Sequence, residues 1–413
     1  MSLKVRSILV LVVGTVLGLT VSLGSAVLAQ REAQRAALAP QFERAQHLER
    51  LAQTIERVRL EYVDQVDERE LIESAIRGML GELDAHSRYL DPQQYEDIRI
   101  ATTGNYSGIG LDLSLDDGRV MVVTPLDDAP AARAGILPGD VVVSVDDVPV
   151  DLANIDATVN RMRGAPGTEV TLDVLRSGTE DPMHFSLERA EIQVKTVRAS
   201  YLGNGFAYVR LNAFSDTTAA ELDAAARSLA EEADRELRGL VLDLRNNPGG
   251  VLEAAVDVAD LFLDTGLIVR GTGRIRQARF EQRASPGDTL EQVPLSVIVN
   301  AGSASASEIV AGAIKDHDRG RLVGERTYGK GSVQTVLPLG EGSAIKLTTS
   351  RYLTPSGRSI NGTGIEPDVL VRNFDPRRQY RGPGSNVSLG EDQQLREALQ
   401  IIGYDADARS ELP

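Results

Sequence analysis

The chain has 413 residues, 42% of them hydrophobic and 25% charged, with a formal net charge of −16. The length suggests about two to four folded domains, and the acidic balance without a long basic run argues against a nucleic-acid partner. With no cysteine there are no disulfides or thiolate zinc sites, and the four histidines (His47, His86, His184, His317) lack metal-ligand spacing, so no metal and no other cofactor is expected.

Lys4 and Arg6 precede an uncharged run from Ile8 to Leu28. A positive flank followed by an apolar run is an export signal, and it directs the rest of the chain across the inner membrane. Val27-Leu28-Ala29 offers a cleavage site before Gln30, yet the run approaches the ~20 residues of a spanning helix. Residues 1–29 therefore read as a signal peptide or a membrane anchor. The mature protein is expected in the periplasm, soluble after signal cleavage or held on the inner membrane.

Residues 40–100 read as a helical N-terminal segment. Leu48, Leu51, Ile55 and Val58 recur at helical spacing, and a second helix is expected from about Glu68 to Leu83. Asp84 and Asp91-Pro92 break the pattern. The expected role is structural, as a small helical domain or a dimerisation surface.

From 102 to 188 the pattern changes to short β-rich runs. GIGLDLSL and GRVMVVTPL read as strands, APAARAGILPGDVVVSVDD as a short helix, turn and strand, and IDATVNRMRG as a helix. This order resembles a bacterial PDZ domain, with AGILPGDVVVSVDD as its most specific piece. In such a fold Gly108, Ile109, Gly110 and Leu111 would bind a peptide end. The glycines let backbone N–H groups converge on a terminal carboxylate, and the following strand pairs with the extended peptide. Val159 and Met162 would line the groove, with Arg163 just beyond it. The bland reading of the glycines is a pair that opens a hairpin.

From 190 to 372 strands and helices alternate. RGLVLDLRNNPGG runs from strand to glycine-rich turn, and VLEAAVDVADLFL continues as helix. PLSVIVNAGSAS repeats the unit before SEIVAGAIKDH, which argues for a mostly parallel sheet with helices on its faces. RLVGE, SVQTVLPL and SAIKLTTSRYL read as further strands. Residues 373–413 form a tail with a short helix, EDQQLREALQII.

Ser303, Ser305 and Ser307 fall at the second strand-to-helix turn, where free N–H groups and the helix dipole favour a developing anion. Ser305-x-x-Glu308 is also a capping-box pattern, so capping and catalysis are both open. A catalytic serine needs a base, and His317 lies about three turns along the helix. Lys330, between Gly329 and Gly331, is the candidate if its site is dry enough to keep it neutral; a solvated turn lysine is the alternative. The Gln334 amide could position the lysine or a water.

SASASEIVAGAIKDHDRGRLVGERTYGKGSVQ resembles the signature of the carboxy-terminal processing (tail-specific) serine proteases. YVDQVDERELIESAIRGMLGELDAHSRYLDP looks like that family's helical N-terminal segment, and DLRNNPGG like its glycine turn. The resemblance covers about residues 40 to 372. It implies a multidomain α+β chain: a helical segment, a β-rich PDZ domain and an α/β protease core of the crotonase/ClpP-like kind. It further implies Ser305 as nucleophile, Lys330 as general base, Gln334 as its support, and Ala306 and Gly250 as oxyanion donors, with Gly249 the alternative to Gly250. Asp316 falls where the family often has an acid and reads here as structural. DAHS and YGKG depart from the commoner DPHS and FGKG, and neither change removes a catalytic group. The implied partners are proteins with accessible C-termini, a second copy or more of the chain, and an adaptor protein where activity depends on one. The rival readings are a catalytically silent PDZ scaffold and a protease inert without its adaptor.

Overall fold

The computed structural model describes residues 44–372 and 392–404, apart from residues 117, 127, 153–154, 180, 235–236, 288–289 and 291–292. The signal or anchor segment and the tail from 373 to 391 lie outside the described residues. Among the described residues no helix is long and apolar enough to cross a membrane.

The chain divides into two compact units at Ala85/His86. In the first, a helix spans 44–61 and a second spans Glu68–Gly81, whose N-terminus is capped by the Asp67 side chain. Leu48, Leu51, Leu60, Ile72 and Met79 are exposed on these helices, so the apolar stripe read from the spacing is left largely uncovered.

The second unit begins with a departure from the helical expectation for 40–100. Arg88–Leu90 is a strand, paired antiparallel with Ser343–Leu353. Asp91-Pro92 then starts a helix, Pro92–Thr103, with Asp91 accepting from the Gln94 N–H and proline in the first turn, where its missing N–H costs nothing.

The β-rich region forms a sheet in the order Leu111–Asp116, Arg119–Pro125, Val141–Val145, Glu169–Leu175, Met183–Glu188. Alternate residues of these strands, among them Val120, Val122, Val170, Leu172 and Val174, fill one core. Asp140, in the Leu-Pro-Gly-Asp turn, is buried against Arg176 at 2.7 Å.

The third region is built on a six-stranded sheet: Val197–Gly203, Phe206–Leu211, Gly239–Asp243, Leu295–Val299, Arg321–Gly324, Val369–Leu370. Only the first pair is antiparallel; the rest are parallel, as the repeated strand-turn-helix units imply. Gly239–Asp243 and Leu295–Val299 are buried at every residue, which suits strands covered on both faces. Helices Thr218–Glu232, Leu252–Asp260 and Ala306–Asp316 contribute to one core, and Gln393–Ile401 to another. The last helix is tied down by a buried ionic cluster, in which Arg245 bonds Asp243 at 2.6 Å and Asp392 at 2.8 Å. An antiparallel sheet of Arg88–Leu90, Ser343–Leu353, Leu267–Gly273 and Phe280–Arg283, with Ser332–Gly340 hairpinned onto Ser343–Leu353, completes the region.

Candidate active site

Strands Gly239–Asp243 and Leu295–Val299 are parallel neighbours, so their following turns lie side by side. The serine turn is sewn to the glycine turn. Ser303 Oγ donates to the Leu244 carbonyl at 2.7 Å, Ser307 Oγ to the Asn247 carbonyl at 2.9 Å, and Asn300 and Asn246 bond each other. Ser303 and Ser307 are fully buried and their hydroxyls are spent on these bonds.

Ser305 is different. It is partly exposed, and it heads a capping box with Glu308 rather than spending its hydroxyl on a carbonyl of the glycine turn. Its backbone stands at φ 56° and ψ −112°, a conformation that L-residues avoid and that tends to persist at functional sites. Among the three serines it alone combines access to solvent with a hydroxyl not donated to the glycine turn.

Two side chains clamp the backbones of Ser305 and Lys330 together. The fully buried Glu308 accepts the Ser305 N–H and the Lys330 N–H on the same oxygen, Oε2, each at 2.9 Å. The two nitrogens therefore lie at most twice that distance apart. Its other oxygen accepts the Thr327 hydroxyl at 2.5 Å and the Gly329 N–H at 2.8 Å. The Tyr352 hydroxyl reaches the Ser305 carbonyl at 3.0 Å and also the Lys330 carbonyl. Burial, and then the charge of Glu308, hold the Tyr352 phenol well above its ordinary pKa, so it stays a donor. Sequence reasoning took Glu308 only as part of a capping pattern. Its role in joining the two loops depends on partners some twenty residues further along.

Lys330 is half-buried. Burial pushes its amine below the ordinary lysine pKa, Arg88 pushes it the same way, and Glu308 opposes them. The Gln334 amide donates to Ser332 Oγ at 2.9 Å and to Thr348 Oγ1 at 3.3 Å, and not to Lys330; its carbonyl oxygen is left to accept. Asp316 sits at the helix end, where it accepts the Ser356 N–H at 2.9 Å and faces Arg358, well away from the serine turn.

The glycine turn approaches closely. A Cβ on Gly249 would lie 2.8 Å from Ser305 Cβ, and one on Gly250 would lie 2.0 Å from the Phe214 carbonyl oxygen, so neither position accepts a side chain. The Gly249 N–H is committed to Asn247 Oδ1 at 2.9 Å. The N–H groups of Gly250 and Ala306 have no protein acceptor among the described residues, and Gly250 is exposed.

In the β-rich region Gly108 ends the short strand Asn105–Gly108, and Leu111 opens the edge strand Leu111–Asp116, whose outer side is unpaired among the described residues. Between them the carbonyls of Ile109 and Gly110 accept from Ala131 and Leu126. Gly110 has φ 74°, and a Cβ there would lie 2.3 Å from Ala129 Cβ. Met162, expected to line the groove, is instead packed in the core with Ile109; Val159 is half-buried. Arg163 pairs with Asp97 at 2.6 Å.

A layered α/β core thus carries a serine on a strained strand-to-helix turn whose backbone is tied to that of a half-buried lysine. Comparison with known proteins gives the class of the whole chain, a peptidase. Residues 205–371 match peptidase family S41, 121–176 match the PDZ domain, and 11–94 match the N-terminal domain of the activating protease CtpB. A carboxy-terminal-processing protease of Bartonella bacilliformis is 42% identical over 84% of this chain and 79% of its own length. The corresponding Synechocystis protein is 37% identical over 81% and 77%, and Bacillus subtilis CtpB 34% over 81% and 69%. Among solved structures, a photosystem II D1 C-terminal processing protease is 33% identical, covering 86% of this chain and 91% of that one, with a TM-score of 0.47. The chain belongs to the S41 peptidases, among the carboxy-terminal processing proteases, and carries a PDZ domain.

Proposed function

We propose that this peptidase is an endopeptidase of the bacterial cell envelope that cuts proteins through a Ser305/Lys330 dyad. The observation that carries the reading is the single Glu308 oxygen that accepts both the Ser305 and Lys330 N–H groups. Ser305 Oγ attacks the scissile carbonyl carbon and its proton passes to the neutral Lys330 amine. The N–H groups of Ala306 and Gly250 hold the tetrahedral oxyanion. Collapse breaks the C–N bond, and the leaving amine takes the proton from Lys330. A water, deprotonated by the same lysine, then attacks the ester and frees Ser305. The Gln334 carbonyl oxygen orients the lysine or that water.

A lysine base accepts a proton only when neutral, so kcat/KM should rise with pH through and above neutrality. Because the folded site lowers the Lys330 pKa, the rise should be complete below the ordinary lysine value of about 10.4. A pH–rate profile on an unstructured reporter peptide measures this. A rate that falls above pH 7, with the fold intact, would remove Lys330 from the role of base.

The PDZ domain would take the substrate's C-terminal end at Gly108, Ile109, Gly110 and Leu111, the peptide adding as a strand to the open edge of Leu111–Asp116. The expected result is that amidating the C-terminus of a tailed substrate lowers kcat/KM roughly tenfold, and that Gly110→Ala erases the difference. Equal rates for the free-acid and amidated substrates would sink terminal recognition. The exposed apolar residues of the N-terminal helices fit a second copy of the chain as partner. An export segment in residues 1–29 fits a periplasmic site of action.

A further inference from the structure

The glycine turn that presents the Gly250 N–H is gripped from a second side. Along Gly239–Asp243 and into the turn, Leu240, Leu242 and Leu244 enter the main core. The alternate residues Val241, Asp243 and Arg245 face the other side of the sheet. There Val241 packs with Leu395, Ala398 and Leu399 of the C-terminal helix Gln393–Ile401. Arg245 is held through both its main chain and its side chain. Its N–H and its guanidinium Nε bond Asp243 Oδ1, at 2.9 and 3.0 Å. Nη2 reaches Asp243 at 2.6 Å and Asp392 at 2.8 Å, Nη1 donates to Gln394 Oε1 at 3.3 Å, and the Arg245 carbonyl accepts from Arg210 at 3.3 Å. The Arg245 side chain is only 5% exposed, and that of Asp243 is fully buried. Asp392 divides its two oxygens: Oδ1 caps the helix by accepting the Leu395 N–H at 3.0 Å, and Oδ2 goes to Arg245. Gln394, 149 residues from Arg245 in sequence, likewise joins it to the Val371 carbonyl, to which its amide donates at 2.8 Å.

We infer that Asp392 and Gln394 are positioning residues for the oxyanion donor: through Arg245, the C-terminal helix fixes the turn that carries Gly250. The inference rests on the proposed oxyanion role of Gly250. Apolar contacts alone would dock the helix, and a buried ion pair is commonly no more stabilising than apolar residues of like volume. What the pair adds is direction. A planar guanidinium fork binds carboxylates in a set geometry, so it fixes where Arg245 stands. From Arg245 onward the turn has little slack. Asn246 is at φ 56° and donates its N–H to Asn300 Oδ1 at 2.9 Å. Asn247 donates to the Leu211 carbonyl at 2.9 Å, accepts the Ala304 N–H at 3.0 Å on its own carbonyl, and takes the Gly249 N–H on Oδ1. A shift at Arg245 is therefore carried to the glycine turn and, through the Ala304 N–H, to the residue before Ser305. An oxyanion donor acts by being fixed before the charge develops. Displacing it costs rate rather than substrate binding.

The test uses the full-length protein, an unstructured reporter peptide, and a peptide aldehyde of the same sequence. The aldehyde's adduct with Ser305 places an oxyanion where the tetrahedral intermediate has one. Asp392→Asn keeps a residue type suited to capping but has one acceptor oxygen for two duties. It should lower kcat roughly tenfold with KM unchanged, and weaken aldehyde binding by a like factor. Asp392→Glu, which keeps the charge and the second oxygen, should recover most of both. Gln394→Leu removes a neutral partner of the guanidinium. It should show the same pattern at about threefold, and it carries the test if Asp392→Asn does not fold. Leu399→Ala is the structural control, since its buried side chain lies on the same helix and does not bond Arg245. It should lower the melting temperature, yet leave kcat and aldehyde affinity within about twofold wherever the protein is folded. Wild-type kcat and aldehyde affinity in folded Asp392→Asn overturn the inference. So does a loss that Leu399→Ala reproduces at equal destabilisation. A wild-type protein that binds the aldehyde no more tightly than the matching peptide alcohol refutes the oxyanion reading of Gly250 itself, and the inference falls with it.

Discussion

Ser305→Ala and Lys330→Ala are each expected to lower kcat by roughly four to six orders of magnitude, with the fold intact. The size follows from the division of labour. In the proposed mechanism there is no acyl-enzyme without Oγ, and without the amine neither the serine nor the hydrolytic water loses its proton. The fold survives because neither side chain is holding it together. The Ser305 hydroxyl is not donated to the neighbouring turn as those of Ser303 and Ser307 are, and its backbone is clamped by Glu308 and Tyr352 whatever side chain it carries. Lys330 likewise enters the clamp through its N–H and carbonyl groups, so truncation leaves the loop in place. Melting curves should match the wild type to within about 0.5 kcal/mol for Ser305→Ala. Ser303→Ala is the contrast. It deletes a buried hydroxyl that donates to Leu244 and accepts from Asn300, and should cost about 1–3 kcal/mol of stability while part of the activity remains. Mass spectrometry of an acid-quenched reaction should find the acyl ester on Ser305. An active Ser305→Ala protein with an inactive Ser303→Ala one would move the nucleophile and refute the dyad.

What could be read from the sequence was whatever is encoded locally. The buried strand runs, the glycine turn, the serine turn and the helix Ala306–Asp316 each carry their own signal, and the alternation of the two α/β units implied the parallel sheet. Long-range pairing was not legible. Arg88–Leu90 is three residues long, too short for a period of two to show, and is a strand only because Ser343–Leu353 passes beside it. Met162 has the spacing of a groove residue, yet the helix turns it into the core. The choice between Gly249 and Gly250 as donor depends on Asn247 Oδ1 occupying the Gly249 N–H, which no spacing reveals. At the N-terminus the leucine spacing marked an apolar face correctly, but a spacing does not say whether the same chain covers it. Glu308 is the sharpest case. Its bond to Ser305 spans three residues and looked like a cap, while its bonds to Thr327, Gly329 and Lys330 span 19, 21 and 22.

Glu308→Gln should therefore impair the enzyme far more than the loss of a helix cap would. Four donors converge on the carboxylate: the N–H groups of Ser305, Gly329 and Lys330 and the Thr327 hydroxyl. A carboxylate has acceptor sites for all four, whereas an amide offers one oxygen and turns an NH₂ group toward two of them. Whichever way it is flipped, at least one backbone N–H loses its acceptor, at a cost of about 1–3 kcal/mol. The protein should still fold, since its main core lies around the neighbouring sheet and helices, but it should melt at lower temperature. The larger effect is on geometry. Ser305 N and Lys330 N share Oε2, so loosening that oxygen separates nucleophile from base, and a displacement near 1 Å suffices for about a hundredfold loss of kcat. The pH profile distinguishes this clamp from a purely structural role. Glu308 is the one charge favouring the Lys330 ammonium, so its neutralisation should shift the residual activity's rising limb to lower pH. A Glu308→Gln protein with wild-type kcat and an unshifted profile would reduce Glu308 to a helix cap.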